Sequence, residues 1–283
     1  MTPPVYADLH THTTCSDGRL HPFDLLDKVA ERSISVLSIT DHDTMEAHRL
    51  LHREGSSSQL MIVPGIELSC TQFGREIHVL GYFLDPFNDE LMNYERHFRL
   101  DRERRAHKMV DLLQQIGVAI SFDDVVDHAQ SAPIGRPHVA AALLQRGHVS
   151  SIHEAFDRYL DTGKPGYAPR SPFSIREAVD LIRRVGGISS VAHPHRTFMD
   201  PTAFAQLLTT GLDGIEVYHP SHWTSTRAHY HDRAMEHQLV ISGGSDFHGS
   251  RDYDEQNLGT VGLSEALFET FHVRAIQSRF PLT

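Results

Sequence analysis

Nine side chains in this chain have the types and spacing to do chemistry: His10, His12, Asp17, His42, Glu67, His78, His193, Asp246 and His248. They are six imidazoles and three carboxylates, with no thiolate. Most sit in short clusters: Leu9-His10-Thr11-His12, Thr40-Asp41-His42-Asp43, Gly65-Ile66-Glu67, His193-Pro194 and Ser245-Asp246-Phe247-His248. Nitrogen and oxygen donors without sulfur suit Mn, Fe or Zn, and the carboxylate share favours hard-to-borderline ions. Nine donors exceed what one ion takes, so the set fits two or three ions with bridging carboxylates. A lone His-x-His pair could be two core histidines on one strand face. Asp43-Thr44 alone could be a turn followed by a helix cap. Five clusters together are different, because carboxylates gathered in a buried site without cations repel one another and resist desolvation. The chain holds 22 histidines against 26 lysines and arginines. For His48, His52, His97, His107, His229, His231 and His237 the plain reading is scattered surface residues in helical or polar stretches.

The elements that must position these donors alternate. Apolar and β-branched runs predict strands over 5–9, 34–40, 60–63, 76–83, 188–192, 214–218 and 239–242. Each donor cluster falls at or near the C-terminal end of one of them, the end where βα-barrel active sites are built. Helices are predicted between strands. Pro22 opens one, Thr44 caps a second that Gly55 stops, and Ser174 with Glu177 forms a capping box ahead of a third. Strand-then-helix repetition implies parallel strands with right-handed crossovers, and about seven strands close most economically as a TIM-like barrel. From 85 to 170 the strand signal vanishes. Ser121 with Asp124, Pro137, and Ser151 with Glu154 start helices there, and Gly117, Gly147 and Gly163 punctuate them. The expected organisation is therefore an α/β barrel from 1–84 and 171–283, with an all-helical insertion, 85–170, over its C-terminal mouth.

Composition narrows the function classes. The 283 residues are 40% hydrophobic and 22% charged, ordinary for a soluble globular chain. A net charge of −11 argues against a broad grip on duplex DNA, which needs a basic face. No apolar run reaches about 18 residues, so no membrane span is expected. The opening MTPPVYADLHTH lacks a charged-then-apolar leader, and Cys15 and Cys70 alone make no disulfide framework. Cytoplasmic location is expected, and no obligate protein partner.

In order along the chain, LHTHTTCSDG, the Thr40–Asp43 turn, Gly65-Ile66-Glu67, His193-Pro194 and Ser245-Asp246-Phe247-His248 resemble the motifs of the PHP (polymerase and histidinol phosphatase) family. The resemblance implies a distorted (β/α)7 barrel with a trinuclear centre of Mn, Fe or Zn, and two or three Mn ions are the expectation here. Carried over by position, it implies that His10, His12, Glu67 and Asp246 hold one metal. Glu67 would bridge to a second with His78 and His193, while Asp17, His42 and His248 hold the third. Asp17 stands where several relatives have histidine, which makes the third site harder. Asp17, His42, His193, Asp246 and His248 are the residues expected to serve catalysis, with Asp8 and Asp41 orienting ligands from behind.

Phosphate-ester hydrolysis also needs cations facing the phosphoryl oxygens. In the helix around Arg102–Lys108 the apolar face runs back from Ile116 through Leu113, Leu112 and Met109. It lands on Arg105, Arg102 and Phe98, so both arginines are expected to point inward. Gly135-Arg136-Pro137-His138 places a cation just before a helix start, and Lys164 to Arg170 adds two more on a Pro-rich return. Arg196 follows His193-Pro194-His195, and His219 ends a strand. Gly135, His138 and His219 complete the expected substrate contacts. Gly135-Arg136-Pro137-His138, the Lys164–Arg170 segment and Tyr218-His219-Pro220, with a helical insertion at this place, resemble the PHP subfamily of 3',5'-nucleoside bisphosphate phosphatases and 5'-to-3' exoribonucleases. That implies removal of the 3'-phosphate from a 3',5'-bisphosphonucleotide, with short 5'-phosphorylated RNA as a further substrate. Histidinol-phosphate hydrolysis, amide hydrolysis, and a non-catalytic metal- and anion-binding module are the competing readings.

Overall fold

A computed structural model describes residues 5–55, 60–129, 134–250 and 253–279. The chain divides into two compact units, Met1–Met92 with Phe173–Thr283, and Asn93–Pro172. The strands are β1 (Ala7–Thr11), β2 (Val36–Ile39), β3 (Met61–Ile62), β4 (Gly65–Gln72), β5 (Arg75–Tyr82), β6 (Ile188–Val191), β7 (Gly214–Tyr218) and β8 (Val240–Gly243). The helices are α1 (Pro22–Glu31), α2 (Glu46–Glu54), α3 (Asp89–Gln115), α4 (Phe122–Ala129), α5 (Arg136–Gln145), α6 (Ile152–Ala155), α7 (Ile175–Arg184), α8 (Pro201–Leu208), α9 (Thr224–Glu236), α10 (Asp254–Asn257) and α11 (Glu265–Arg279).

Local chemistry explains where the helices start. Pro22 occupies the first turn of α1, whose buried side is Pro22, Leu25, Leu26 and Val29. Thr44 Oγ1 accepts from the Glu46 N–H at 3.2 Å, and Gly55, at φ 75°, ends α2. The capping box of α7 forms in both directions. Ser174 Oγ accepts from Glu177 N–H at 3.2 Å, and Glu177 Oε2 accepts from Ser174 N–H at 2.7 Å.

The first unit is α/β, with its strands in two sheets: β1-β2-β3, and β4-β5-β6-β7-β8. The β1-β2-β3 and β6-β7-β8 pairings are parallel, whereas β5 runs antiparallel to both β4 and β6. This corrects the expectation of about seven strands, all parallel. The cause is a hairpin at Phe73-Gly74, where φ is 53° and 69° at the two central residues. Positive φ at both is the type I′ geometry that matches the twist of paired strands. It folds 65–72 back on 75–82, so Glu67 lies within a full strand of its own and not just past the end of the 60–63 strand.

The sheets are not one continuous ladder, yet backbone bonds join them where donors cluster. Asp246 N–H donates to His10 O and His12 N–H to Phe247 O, each at 2.9 Å. On the other side Asp43 N–H donates to Glu67 O at 2.9 Å. Gly244 makes the first junction fit, because a Cβ there would lie 2.4 Å from His10 N. Leu25, Leu26, Val29, Leu37, Ile39 and Phe247 pack one core cluster behind these junctions.

The second unit, whose described elements are all helices, has its own core of Met109, Val110, Leu113, Val125, Val139, Leu143 and Leu160 among others. Its starts follow the expected signals. Asp124 N–H donates to Ser121 Oγ (3.2 Å) and Glu154 N–H to Ser151 Oγ (3.1 Å). A single π turn, Phe156–Leu160, continues α6. Ile116, expected on the inner face, is 51% exposed, because α3 ends at Gln115 before another inward position is reached. Among the described residues no helix is long and apolar enough to cross a membrane.

Candidate metal centre

All nine donors belong to the first unit, and Glu67 lies at their middle. Its Oε2 is 3.2 Å from His10 Nε2, His12 Nε2 and His42 Nδ1. Its Oε1 is 2.9 Å from His78 Nδ1 and 3.0 Å from His193 Nε2. Asp246 Oδ1 sits 3.4 Å from His10 Nε2 and 3.3 Å from His12 Nε2. Asp17 Oδ1 reaches His248 Nε2 at 3.3 Å, and its Oδ2 is 3.8 Å from His42 Nε2. Three sets of donor atoms converge closely enough to share an ion: His10, His12 and Glu67; His42, Glu67 and His78; and His12, Asp17, His42 and His248. The first set lacks the Asp246 that the family resemblance placed with it, and the third adds His12 to Asp17, His42 and His248. In the second His42 stands beside Glu67 and His78, and His193 approaches the same Glu67 oxygen.

The donors suit divalent ions better than one another. Both ring nitrogens of His12, and Nδ1 of His42 and His78, are buried without an aligned hydrogen bond. These nitrogens lie 2.9–3.2 Å from a carboxylate oxygen without aligning to it as hydrogen-bond partners do. Ligands bound at about 2.1 Å are separated by roughly 3.0 Å along an octahedral edge and roughly 3.4 Å along a tetrahedral one. The observed spacings are of that size.

Electrostatics agree with a cationic occupant. Burial opposes charge on Glu67, Asp17 and Asp246, yet the surrounding imidazoles, His42 and His10 foremost, hold all three well below the usual carboxylate range. Burial drives His42 down to about 3, with His12 and His78 adding to the fall against Glu67 and Asp17. Burial also opposes charge on His12 and His78, but Glu67, helped by Asp246 and Glu76, carries them up to about 10. The rings cannot all be charged together, and the neutral ring is the form that binds metal.

Support comes from behind the donors. Glu216 in β7, which the sequence reading did not single out, lies fully buried with Oε1 2.9 Å from His10 Nδ1. Its Oε2 accepts from His193 N–H at 2.6 Å, which holds His193 at a φ of 24°. A carboxylate on Nδ1 makes that nitrogen the donor, leaving the Nε2 lone pair of His10 for the centre. The available signal was a lone acid in the apolar strand Gly-Ile-Glu-Val-Tyr. Asp8 and Asp41 act on backbone and hydroxyl groups. Asp8 accepts from His10 N–H (3.3 Å) and Ser245 N–H (2.9 Å), and Asp41 accepts from Thr13 N–H, Thr13 Oγ1 and Ser16 Oγ at 2.5–2.7 Å. His48 corrects the surface reading. It is buried, with Nε2 set between Ile39 O (2.8 Å) at the end of β2 and Gly65 N–H (3.1 Å) at the start of β4, donating to the first or accepting from the second according to its tautomer.

Of the expected substrate contacts, His219 and Arg196 belong to the first unit. His219 Nε2 is 3.4 Å from Asp246 Oδ2, and its Nδ1 is 2.6 Å from Ser221 Oγ. Arg196 is exposed. The others belong to the second unit. Arg105 is buried and donates to Ala168 O at 3.3 Å, and Arg136 lies over the Phe156 ring and 4.0 Å from Asp161. His138 Nδ1 accepts from Gly135 N–H at 3.0 Å. A Cβ on Gly135 would lie 3.3 Å from Arg102 Nη1. Lys164 and Arg170 flank the segment that closes this unit.

Comparison with known proteins agrees with this arrangement. The PHP domain model matches residues 8–168, and the chain belongs to that family. It is 33% identical over 258 residues to a 3',5'-nucleoside bisphosphate phosphatase of Chromobacterium violaceum, covering 87% of this chain and 89% of that protein. It is 32% identical over 250 residues to the 5'-3' exoribonuclease Rnm of Escherichia coli, covering 86% and 85%. A crystal structure from Bifidobacterium adolescentis, assigned as a metal-dependent phosphoesterase, superposes with a TM-score of 0.80 at 28% identity, over 96% of this chain and 97% of that one.

Proposed function

We propose that this protein is a metal-dependent phosphatase that removes the 3'-phosphate of 3',5'-bisphosphonucleotides, with short 5'-phosphorylated RNA as a further substrate and Mn2+ as its metal. The observation that carries this reading is the five ring nitrogens within 3.2 Å of the Glu67 carboxylate. A shared carboxylate ringed by imidazoles can hold adjacent divalent ions. The names of the similar phosphatase and exoribonuclease support the substrate class.

When bound, such ions neutralise the phosphoryl oxygens and ease loss of a proton from the attacking water. The chain's own groups do the rest. Glu67, with His10, His12 and Asp246 on one side and His78 and His193 on the other, would hold two of the ions. Asp17, His42 and His248 would hold the third. His219, beside Asp246, and Arg196 bind the phosphate to be cleaved. The arginines, Lys164 and His138 of the second unit are read as anion-binding groups. A water oxygen adds to phosphorus, the P–O3' bond breaks, and the 3'-oxygen leaves with a proton. The products are a nucleoside 5'-monophosphate and inorganic phosphate. We read the two sheets, with the bonds joining β1 to the end of β8 and β2 to β4, as one distorted (β/α)7-type barrel. A cytoplasmic location accords with Cys15 and Cys70 being free thiols.

The test is product analysis on Mn-loaded protein given adenosine 3',5'-bisphosphate, histidinol phosphate and an acyl amide. Equal yields of adenosine 5'-monophosphate and phosphate are expected from the first, with little turnover of the others. Release of the 5'-phosphate, or hydrolysis of the amide alone, would overturn the reading.

A further inference from the structure

A cavity of about 570 Å³ opens beside the centre, within the first unit. Its lining includes Arg75, Arg196, Ser221, Trp223, Ser225 and Thr226, and no carboxylate. In a chain of net charge −11, a hollow with two guanidinium groups and no acid is selective for anions. Neither arginine side chain has an ion pair or hydrogen bond among the described residues, and both are exposed. Trp223 is 76% exposed at the cavity wall. It also precedes α9 without a side-chain cap, so the first-turn N–H groups beside Ser225 and Thr226 remain for an acceptor.

Ser221 ties this cavity to the centre. Its Oγ lies 3.0 Å from His195 Nδ1, on the cavity side, and 2.6 Å from His219 Nδ1. His219 in turn stands 3.4 Å from Asp246. Ser221 also lines a second hollow of about 280 Å³ that contains His219 and Asp246. One serine therefore borders both spaces.

We propose that the 570 Å³ cavity is the subsite for the nucleotide on the far side of the scissile phosphate, so that this protein is built to take short single-stranded RNA as well as mononucleotides. The proposal rests on the phosphatase reading above and deepens it. In a 3',5'-bisphosphate nothing extends beyond the 3'-phosphorus. In RNA the same phosphorus carries the 5'-oxygen of the next nucleotide. Water adds to phosphorus, the P–O3' bond breaks, the 3'-oxygen takes up a proton, and the phosphate stays on the 5'-oxygen of the remaining strand. The cavity offers that nucleotide an indole face for its base and the Arg75 guanidinium for its following phosphate, with Arg196 on the side of the scissile phosphate, the two elements of single-strand recognition without sequence preference.

Trp223 is the only tryptophan in the chain, so its emission reports on this cavity alone. A 5'-phosphorylated, phosphorothioate-linked adenylate dinucleotide should quench it saturably, whereas adenosine 3',5'-bisphosphate should not. Trp223→Ala and Arg75→Ala should each lower kcat/KM on a 5'-phosphorylated adenylate trinucleotide by roughly tenfold, with bisphosphate turnover changed less than twofold. Trp223→Phe should recover most of the loss. Equal losses on both substrates, or a dinucleotide that leaves the emission unchanged, would overturn the subsite. Saturable quenching in a protein that hydrolyses no nucleotide would leave the subsite standing and remove the phosphatase reading instead.

Discussion

Glu67 and Glu216 are both fully buried acids facing His10 from opposite sides, and their substitutions should behave differently. Glu67→Gln removes a charge shared between ions, so metal content and turnover should collapse together, by at least a hundredfold in turnover. Metal analysis beside a phosphate-release assay checks this, and full occupancy with near-normal turnover would mean the centre is wrongly assigned. Glu216→Gln keeps the shape but weakens the hold on the His10 tautomer. Metal affinity should fall roughly tenfold to a hundredfold, while the far-ultraviolet circular dichroism stays the same. Calorimetric titration with Mn2+ reads the difference, and unaltered affinity would leave Glu216 a packing residue.

At the level of elements, the junction between β1 and the end of β8 should be the most sensitive backbone position. Gly244→Ala sets a methyl 2.4 Å from His10 N and 2.5 Å from His10 Cβ, an overpacking worth about 1–3 kcal/mol. It should also lower metal content, since His10 must shift. Gly186→Ala is the control. Its φ of 79° carries a backbone penalty of ~1 kcal/mol, but nothing lies within 4 Å of the added carbon, so metal content should hold. Urea midpoints and metal analysis on the pair separate strain from steric displacement. The same scale explains what the sequence could reveal. Donors in His-x-His and Asp-x-His clusters were legible because those residue types are costly inside a fold unless something binds them. The helix starts were legible because capping acts within three residues. The hairpin at Phe73-Gly74 was not, since Phe is a poor marker for a left-handed turn position, and β4 was therefore assigned no element of its own. Glu216 was hidden because one acid in a short strand looks like a solvent-facing position until its neighbours are known. His48 misled for the opposite reason, being a polar residue on a helix whose bond partners lie in β2 and β4.

For the whole molecule, a metal-loaded centre would cross-link β1, β4, β5 and the segments after β1, β2, β6 and β8. Ions bound at a hundredfold over their dissociation constant add about 2.7 kcal/mol to the folded state. Each kcal/mol moves the midpoint of a chain of this size by roughly 2–4 °C. Stripping the protein with a chelator should thus lower its melting temperature by roughly 5–10 °C, and excess Mn2+ should restore it. A melting point indifferent to chelation would mean that the donors do not hold metal in the folded protein.

The spread of donors along the chain also constrains when the protein becomes active during its synthesis. Six of the nine donors, from His10 to His78, precede the helical unit, but His193, Asp246 and His248 follow it. A ribosome adding about 5–20 residues per second takes roughly 12–48 s to travel from His10 to His248. Throughout that interval the nascent chain carries an incomplete donor set, and Glu67 waits for His193 while His10 waits for both Glu216 and Asp246. A chain arrested just before Asp246 would thus retain seven of the nine donors and still lack the junction between β1 and the end of β8 that closes the centre.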